Sequence, residues 1–289
     1  MIDAPGAVGA RVRITGATRL YAIIGDPIVQ VRSAEAFTQR FADDGIDAVL
    51  VPMQVSLEHV DTVVAGLMAL GNLDGLLVTA PLKEAMARYA SRLGAAASCI
   101  GAVNALRREA DGTWSGDMFD GAGFVRGIER KGERIRGRRV LLFGAGGAGS
   151  AIACALAEAG VESIRIVSPD HARGARLVAA VKRAFPACDV GSATTDRDGI
   201  DMVVNASPIG MKPGDGLPGD IGPLAPGSLV GDVVVVSEVP TALIRQAMEL
   251  GCPWADGRDM HAGQIDAIMA FLTEAGPSRE RAAESEPDL

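Results

Sequence analysis

Val140-Leu141-Leu142-Phe143-Gly144-Ala145-Gly146-Gly147-Ala148-Gly149 is the stretch that decides the fold. An apolar run leads straight into a glycine-dense turn, and a run rich in small residues, Ser150 to Ala159, follows. Strand, tight turn and helix in that order open a dinucleotide-binding βαβ unit, and the turn carries G-x-G-x-x-G at Gly144, Gly146 and Gly149. Each glycine has its own task. Gly144 permits the reversal, Gly146 lets backbone approach a pyrophosphate, and Gly149 lets the helix lie close on the sheet. Gly147 and Ala148 stand where the helix N–H groups and its positive dipole end would face phosphate oxygens. The competing reading is a tight βα turn in a domain that binds no nucleotide.

Strands and helices alternate outward from this turn in both directions. Downstream, strands are predicted at Ser163–Val167, Met202–Asn205 and Val230–Val236, with helices at Ala172–Ala184, Thr241–Leu250 and Met260–Phe271. Upstream, strands are predicted at Leu20–Ile24, Ala48–Val51 and Gly75–Thr79, with helices at Ser33–Phe41 and Leu57–Leu70. Pro81 is expected in the first turn of another helix, where its missing N–H costs nothing. The alternation predicts an α/β protein with parallel pairing. Met1 to Arg13 lack a clear period and are expected to fray. Residues 277–289 are charged and are expected to be a disordered tail.

Cofactor choice is read where the second strand of such a unit ends, here Val167-Ser168-Pro169-Asp170. An acidic residue there bonds the ribose hydroxyls of NAD, whereas arginine suits the 2′-phosphate of NADP. Asp170 has two readings, the ribose partner and the cap of the next helix. Arg173 has the reading of a phosphate partner. The expectation is NAD or NADP, leaning to NAD.

Composition narrows the function. The chain has 289 residues, enough for one large or two modest domains. Lys and Arg number 28 against 36 Asp and Glu, a net charge of −8, which argues against nucleic acid as a partner. Hydrophobic residues make up 48%, so the chain can bury a core. Aromatics are only 4%, too few for a base-stacking surface. No apolar run reaches the ~18 residues of a membrane span, and no secretory leader is evident. Cys99, Cys154, Cys188 and Cys252 include no C-x-x-C spacing, and no disulfide is expected. His59, His171 and His261 form no ligand motif, and no metal site is expected. The expectation is a cytoplasmic enzyme, a monomer or homodimer, acting on a small molecule.

Several ordered segments resemble one family. Tyr21-Ala22-Ile23-Ile24-Gly25-Asp26-Pro27-Ile28 is similar to the Y-A-V-I-G-N-P-I that opens shikimate dehydrogenases. Val78-Thr79-Ala80-Pro81-Leu82-Lys83 resembles their V-T-x-P-x-K, and Gly101-Ala102-Val103-Asn104 their G-A-V-N. Asp120-Gly121 with Gly123-Phe124 resembles D-G-x-G-F. Asn205-Ala206-Ser207-Pro208-Ile209-Gly210-Met211 resembles N-A-T-P-x-G-M. Asp256-Gly257, Met260 and Gln264 resemble the terminal D-G-x-x-M-x-x-x-Q.

The resemblance implies a substrate-binding domain at 15–120, completed by 256–276, and a Rossmann-type dinucleotide domain at 121–255. It implies hydride transfer between nicotinamide and a hydroxyl or ketone on a ring or small hydroxy acid. Lys83 and Asp120 fall on the family's catalytic pair. Ser33, Thr79, Asn104 and Gln264 fall on its substrate contacts, and Asn205, Ser207 and Met211 on its cofactor side. The chemistry agrees, because alcohol oxidation needs a group that takes the hydroxyl proton. Lys83 would open a helix, whose positive end disfavours an ammonium, and Asp120 would orient it. Taken without the motifs, Lys83 reads as a surface lysine, Asp120 as a helix cap, and Asn104 as a turn residue. His261 carries no implied role and reads as a rim residue.

The departures from the family cluster. Its S-K-S-P is Val31-Arg32-Ser33-Ala34 here, and its D-x-x-Y is Asp232-Val233-Val234-Val235. In the family the serine pair and the tyrosine hold the substrate carboxylate. The reacting end is therefore kept and the carboxylate end is eroded, with no compensating cation evident in the matched motifs. Weak action on shikimate itself is expected. The alternatives are an authentic shikimate or quinate dehydrogenase with altered contacts, or a non-catalytic ligand or nucleotide sensor on the same scaffold.

Overall fold

The computed structural model describes residues 13–273, apart from 30, 32, 194–198, 213 and 236–238. The tail expected at 277–289, the stretch before Arg13 and the Arg32 side chain lie outside the described residues. Two sheets carry the chain. The first contains β1 (Arg19–Gly25), β2 (Ala48–Gln54), β3 (Leu73–Val78), β4 (Arg92–Leu93), β5 (Ala105–Arg108) and β6 (Trp114–Asp117), ordered β2-β1-β3-β5-β6-β4. The second contains β7 (Arg139–Phe143), β8 (Ser163–Val167), β9 (Asp189–Ser192), β10 (Met202–Asn205), β11 (Leu229–Asp232) and β12 (Trp254–Ala255), ordered β12-β11-β10-β7-β8-β9. Among the described residues no helix is long and apolar enough to cross a membrane.

Every pair in the second sheet is parallel. Its strand order reverses between β7 and β10, which is where an open α/β sheet leaves a ligand crevice beyond its strand ends. The first sheet corrects the all-parallel expectation. β1 is parallel to β2 and β3, but β3–β5 and β5–β6 are antiparallel. A short turn at Asp111–Thr113 joins β5 to β6, and a link that short permits only antiparallel neighbours.

Period-two alternation places the core of the first sheet. Ala22 and Ile24 face a cluster with Val64, Leu67 and Leu76 on one side. Tyr21 and Ile23 face Phe37, Phe41, Ile268 and Leu272 on the other. These residues come from α1 (Ser33–Asp43), α2 (Val60–Met68) and α9 (Gly257–Thr273). Under the second sheet, Val140, Leu142, Ile164 and Val204 pack with Ile152 and Leu156 of α6 (Gly147–Glu158) and with Phe124 and Ile128 of α5 (Asp120–Arg130).

The high glycine content acts at the crossing of α5 and α9. A Cβ on Gly127 would lie 2.6 Å from Asp259 O, and one on Gly263 would lie 2.3 Å from Gly123 O. A Cβ on Gly121 would lie 2.1 Å from Ala151 O of α6. Backbone therefore meets backbone at these points, and only glycine leaves the room. That closeness brings the middle of α9 next to the start of α5.

Two local expectations need correction. Pro81 does not sit in a helical turn; it follows a cis Ala80–Pro81 peptide, and α3 (Lys83–Met86) begins after it as a single turn. Cys99, in α4 (Ala95–Ile100), forms a disulfide with Cys154 of α6. The pair is 55 residues apart and meets only because α4 packs on α6, so local spacing could not reveal it.

Candidate active site

Asp120 is the point on which distant segments converge. It begins α5 and is 6% exposed. Its Oδ2 accepts a hydrogen bond from Lys83 Nζ at 2.8 Å. Its Oδ1 accepts from Asn104 Nδ2 and from Gln264 Nε2, each at 2.7 Å. A buried carboxylate needs this much compensation, because each unmet bond to a charged group costs ~1.5–3 kcal/mol.

Backbone contacts hold the donors in place. Lys83 opens α3, and its carbonyl accepts the N–H of Val103. Asn104 is 3% exposed; its carbonyl accepts Val78 N–H and its Oδ1 accepts Phe119 N–H. Gln264 is fixed by the glycine crossing, since a Cβ on Gly123 would lie 2.7 Å from Gln264 Cβ. The helix that Lys83 opens is a single turn. The charge that Lys83 meets is Asp120.

These groups line a cavity of about 960 Å³ between β3, α1, α5 and α9. Ser33, Thr79, Lys83, Asn104, Asp120 and Gln264 all face it. Ile23, Phe37, Leu77, Ile265 and Ile268 give it an apolar floor. Val31 and Val235 line it too, so the two departures from the family face the same space as the retained polar groups.

The lining includes one cation the sequence reading missed, Arg258, together with His261. Arg258 stands at an unspecified position of the D-G-x-x-M segment. A cation of a matched motif thus reaches the cavity lining. Helical spacing back from Gln264 through His261 to Arg258 was the available signal.

The glycine turn lies at the switch point of the second sheet. Gly144 has φ +106°, and a Cβ there would lie 2.6 Å from Ala206 O in the loop after β10. A Cβ on Gly149 would lie 2.2 Å from Gly144 O. Gly146 and Gly147 instead face open space, with nothing within 4 Å of an added Cβ. The helix begins at Gly147, earlier than the Ser150 expected, so Ala148 and Gly149 fall in its first turn. The open glycines leave the backbone at the helix N-terminus accessible, as close approach of a pyrophosphate requires.

The neighbouring loop is tied down rather than aimed at a ligand. Asn205 Oδ1 accepts from Ser207 N–H and Oγ, and its Nδ2 donates to Ile209 O and to Asp232 Oδ1. Asp232 is fully buried and also accepts from Thr241 Oγ1 at 2.7 Å and Val234 N–H at 3.0 Å. Burial pushes its carboxyl pKa up against those bonds. Met211 is 62% exposed beside this loop.

Asp170 caps α7 (His171–Ala184): its Oδ1 accepts Arg173 N–H at 2.9 Å, and that bond holds its pKa below the ordinary range. Of the residues expected at the cofactor, Asp170 and Asn205 thus have structural tasks of their own.

Residues 23–106 match the family model described as the shikimate dehydrogenase substrate binding domain. The chain is 37% identical over 254 residues to a shikimate dehydrogenase (NADP(+)) of Rubrobacter xylanophilus, covering 86% of this chain and 88% of that one. Shikimate 5-dehydrogenase from Listeria monocytogenes, solved with shikimate and NAD, superposes with a TM-score of 0.82 at 29% identity, over 94% of this chain and 98% of that one. The ligand-free 5-ketofructose reductase of Gluconobacter sp. strain CHM43 superposes with a TM-score of 0.80 at 26% identity, over 92% and 97%. The chain is an NAD(P)-dependent oxidoreductase and belongs to the shikimate dehydrogenase family.

Proposed function

We propose that the cavity is the place of hydride transfer and that its substrate is a polyhydroxylated ring or small hydroxy acid other than shikimate. The observation that carries this reading is the meeting of Lys83, Asn104 and Gln264 on Asp120 in a cavity whose other lining includes Val31 and Val235. The half of the chain built on the first sheet holds the substrate, and the glycine turn of the second holds the dinucleotide. Bound nicotinamide supplies the hydride acceptor or donor. On oxidation, the Lys83–Asp120 pair takes the hydroxyl proton as the carbon-bound hydride departs; on reduction it returns the proton to the new alkoxide. Asn104 and Gln264 hold the carboxylate that steadies Lys83, and Ser33 and Thr79 offer hydroxyls to the ring.

A carboxylate facing two valines forfeits bonds of ~1.5–3 kcal/mol each. Shikimate binding should weaken by about tenfold for every ~1.4 kcal/mol lost. The contact is remote from the reacting carbon, so the change is expected in KM rather than kcat. The double variant Val31→Ser with Val235→Tyr should lower KM for shikimate in steady-state assays. An unchanged KM would place the carboxylate elsewhere.

NAD is the preferred cofactor in this reading. No arginine or lysine stands at Ser168-Pro169-Asp170, and the Asp170 carboxylate repels a 2′-phosphate. The Rubrobacter relative's name gives NADP(+), so the two must be titrated side by side. Tighter binding of NAD, with the gap narrowed by Asp170→Ala, is the expected result. Equal or tighter binding of NADP would shift the role to Arg173.

A neutral ketosugar is the second reading. It is favoured by the likeness to the Gluconobacter reductase taken with the apolar Val31 side of the cavity.

A further inference from the structure

One face of α9 looks into the cavity through Arg258, His261, Gln264, Ile265 and Ile268. Gln264 marks the reacting end, through its bond to Asp120. A helix rises ~1.5 Å per residue, so Arg258 stands roughly 9 Å further along the axis. A ring and its acid substituent fit within that interval once the reach of the arginine side chain is included.

Arg258 is held from behind. Its Nε and Nη2 both donate to Asp256 Oδ2, at 2.9 and 2.6 Å. Asp256 Oδ1 accepts the N–H groups of Arg258 and Asp259. The Asp256 side chain is only 12% exposed, whereas that of Arg258 is 62% exposed. This side-on grip uses the Nε–Nη2 edge of the guanidinium. The end edge, Nη1 with the second hydrogen of Nη2, has the geometry for another carboxylate.

The eroded wall meets the start of α9, one residue before Arg258. Val235 lines the same cavity and packs on the helix start, where a Cβ on Gly257 would lie 2.6 Å from Val235 Cγ2. The charge balance of the lining points the same way. Among the described residues Lys83 and Asp120 pair inside the cavity, and Arg258 is paired with Asp256, a carboxylate that is not part of the lining.

We propose that Arg258 is a specificity-determining residue that binds the acid group of the substrate, so that α9 supplies one carboxylate contact where the hydroxyl and phenol are missing, leaving shikimate weakly bound yet preferred over its neutral analogue. The inference rests on the reading of the cavity as the substrate site. It commits that site to a hydroxy acid and against a neutral sugar.

Shikimate and its methyl ester present the same ring with and without the charge. Their affinities for the full chain can be compared by calorimetry with saturating reduced cofactor, which prevents turnover of either. The acid should bind more tightly than the ester by about tenfold or more, the value of one charge-assisted contact. Arg258→Met should erase that preference, and Arg258→Lys should keep part of it. For any hydroxy acid that turns over, Arg258→Met should raise KM and leave kcat nearly unchanged. Equal binding of acid and ester by the unaltered protein, binding of neither, or a preference that survives Arg258→Met would each overturn the proposal. Absence of hydride transfer from every substrate would instead strike the reading of the cavity, so the two failures are distinguishable.

Discussion

Lys83→Ala is expected to lower kcat by ~10²–10⁴, the range of a lost general acid–base group. Lys83 Nζ is the partner of Asp120 Oδ2 among the described residues, while Asn104 and Gln264 occupy Oδ1. Truncation leaves Asp120 bonded and in place, so the fold should persist. Cofactor binding should change little, because Lys83 is absent from the glycine turn and from the loop after β10. Single-turnover kinetics with saturating cofactor separates the two effects. Near-normal turnover in this variant would remove Lys83 from the chemistry, whichever substrate is used.

Gly146→Ala is expected to raise the cofactor dissociation constant by about tenfold or more, equivalent to ~1.4 kcal/mol or above, while leaving the unfolding midpoint in place. Gly146 has φ −77° and ψ −169°, a conformation alanine adopts freely, and its Cβ would meet nothing within 4 Å. A turn with no ligand would tolerate that methyl group. A turn whose backbone must touch a pyrophosphate would not. Gly149→Ala makes the contrast, since its Cβ would strike Gly144 O at 2.2 Å and should cost ~1–3 kcal/mol of stability as well. Wild-type cofactor affinity in Gly146→Ala would reduce the motif to a packing device. Fluorescence titration and chemical denaturation of both variants give the answer.

The second sheet was largely legible in the sequence. Four of its strands are apolar runs, and Ser163–Val167 and Met202–Asn205 match the structure end for end, whereas the strand expected at Val230–Val236 ends at Asp232 and β9, Asp-Val-Gly-Ser, has too little apolar pattern to be read. The first sheet was legible only at β1, β2 and β3. β5 reads Ala-Leu-Arg-Arg and β6 reads Trp-Ser-Gly-Asp, patterns without a β-branched stripe. Tertiary contacts make them strands: Arg107 donates to Phe271 O and lies over the Phe271 ring, and Arg108 donates to carbonyls at the end of α2. β4 and β12 are two residues each, too short to carry a period.

The candidate site was legible as a set of motifs but not as an arrangement. Nothing local says that Gln264 bonds a carboxylate 144 residues earlier, because that contact depends on glycines in α5 and α9 that let the helices touch. Arg258 escaped for the opposite reason. It belongs to a matched segment but stands at a position the motif leaves open, so only the direction of the α9 face exposes it.

The measurement that bears most directly on this account is the rate of reduced-nicotinamide formation by the unaltered protein across shikimate, quinate, other polyhydroxylated hydroxy acids and neutral polyols, with NAD and NADP in parallel. Turnover with at least one ring or hydroxy acid is expected, with a high KM for shikimate. A low KM for shikimate in the unaltered protein would contradict the assignment of Val31 and Val235 to the carboxylate wall.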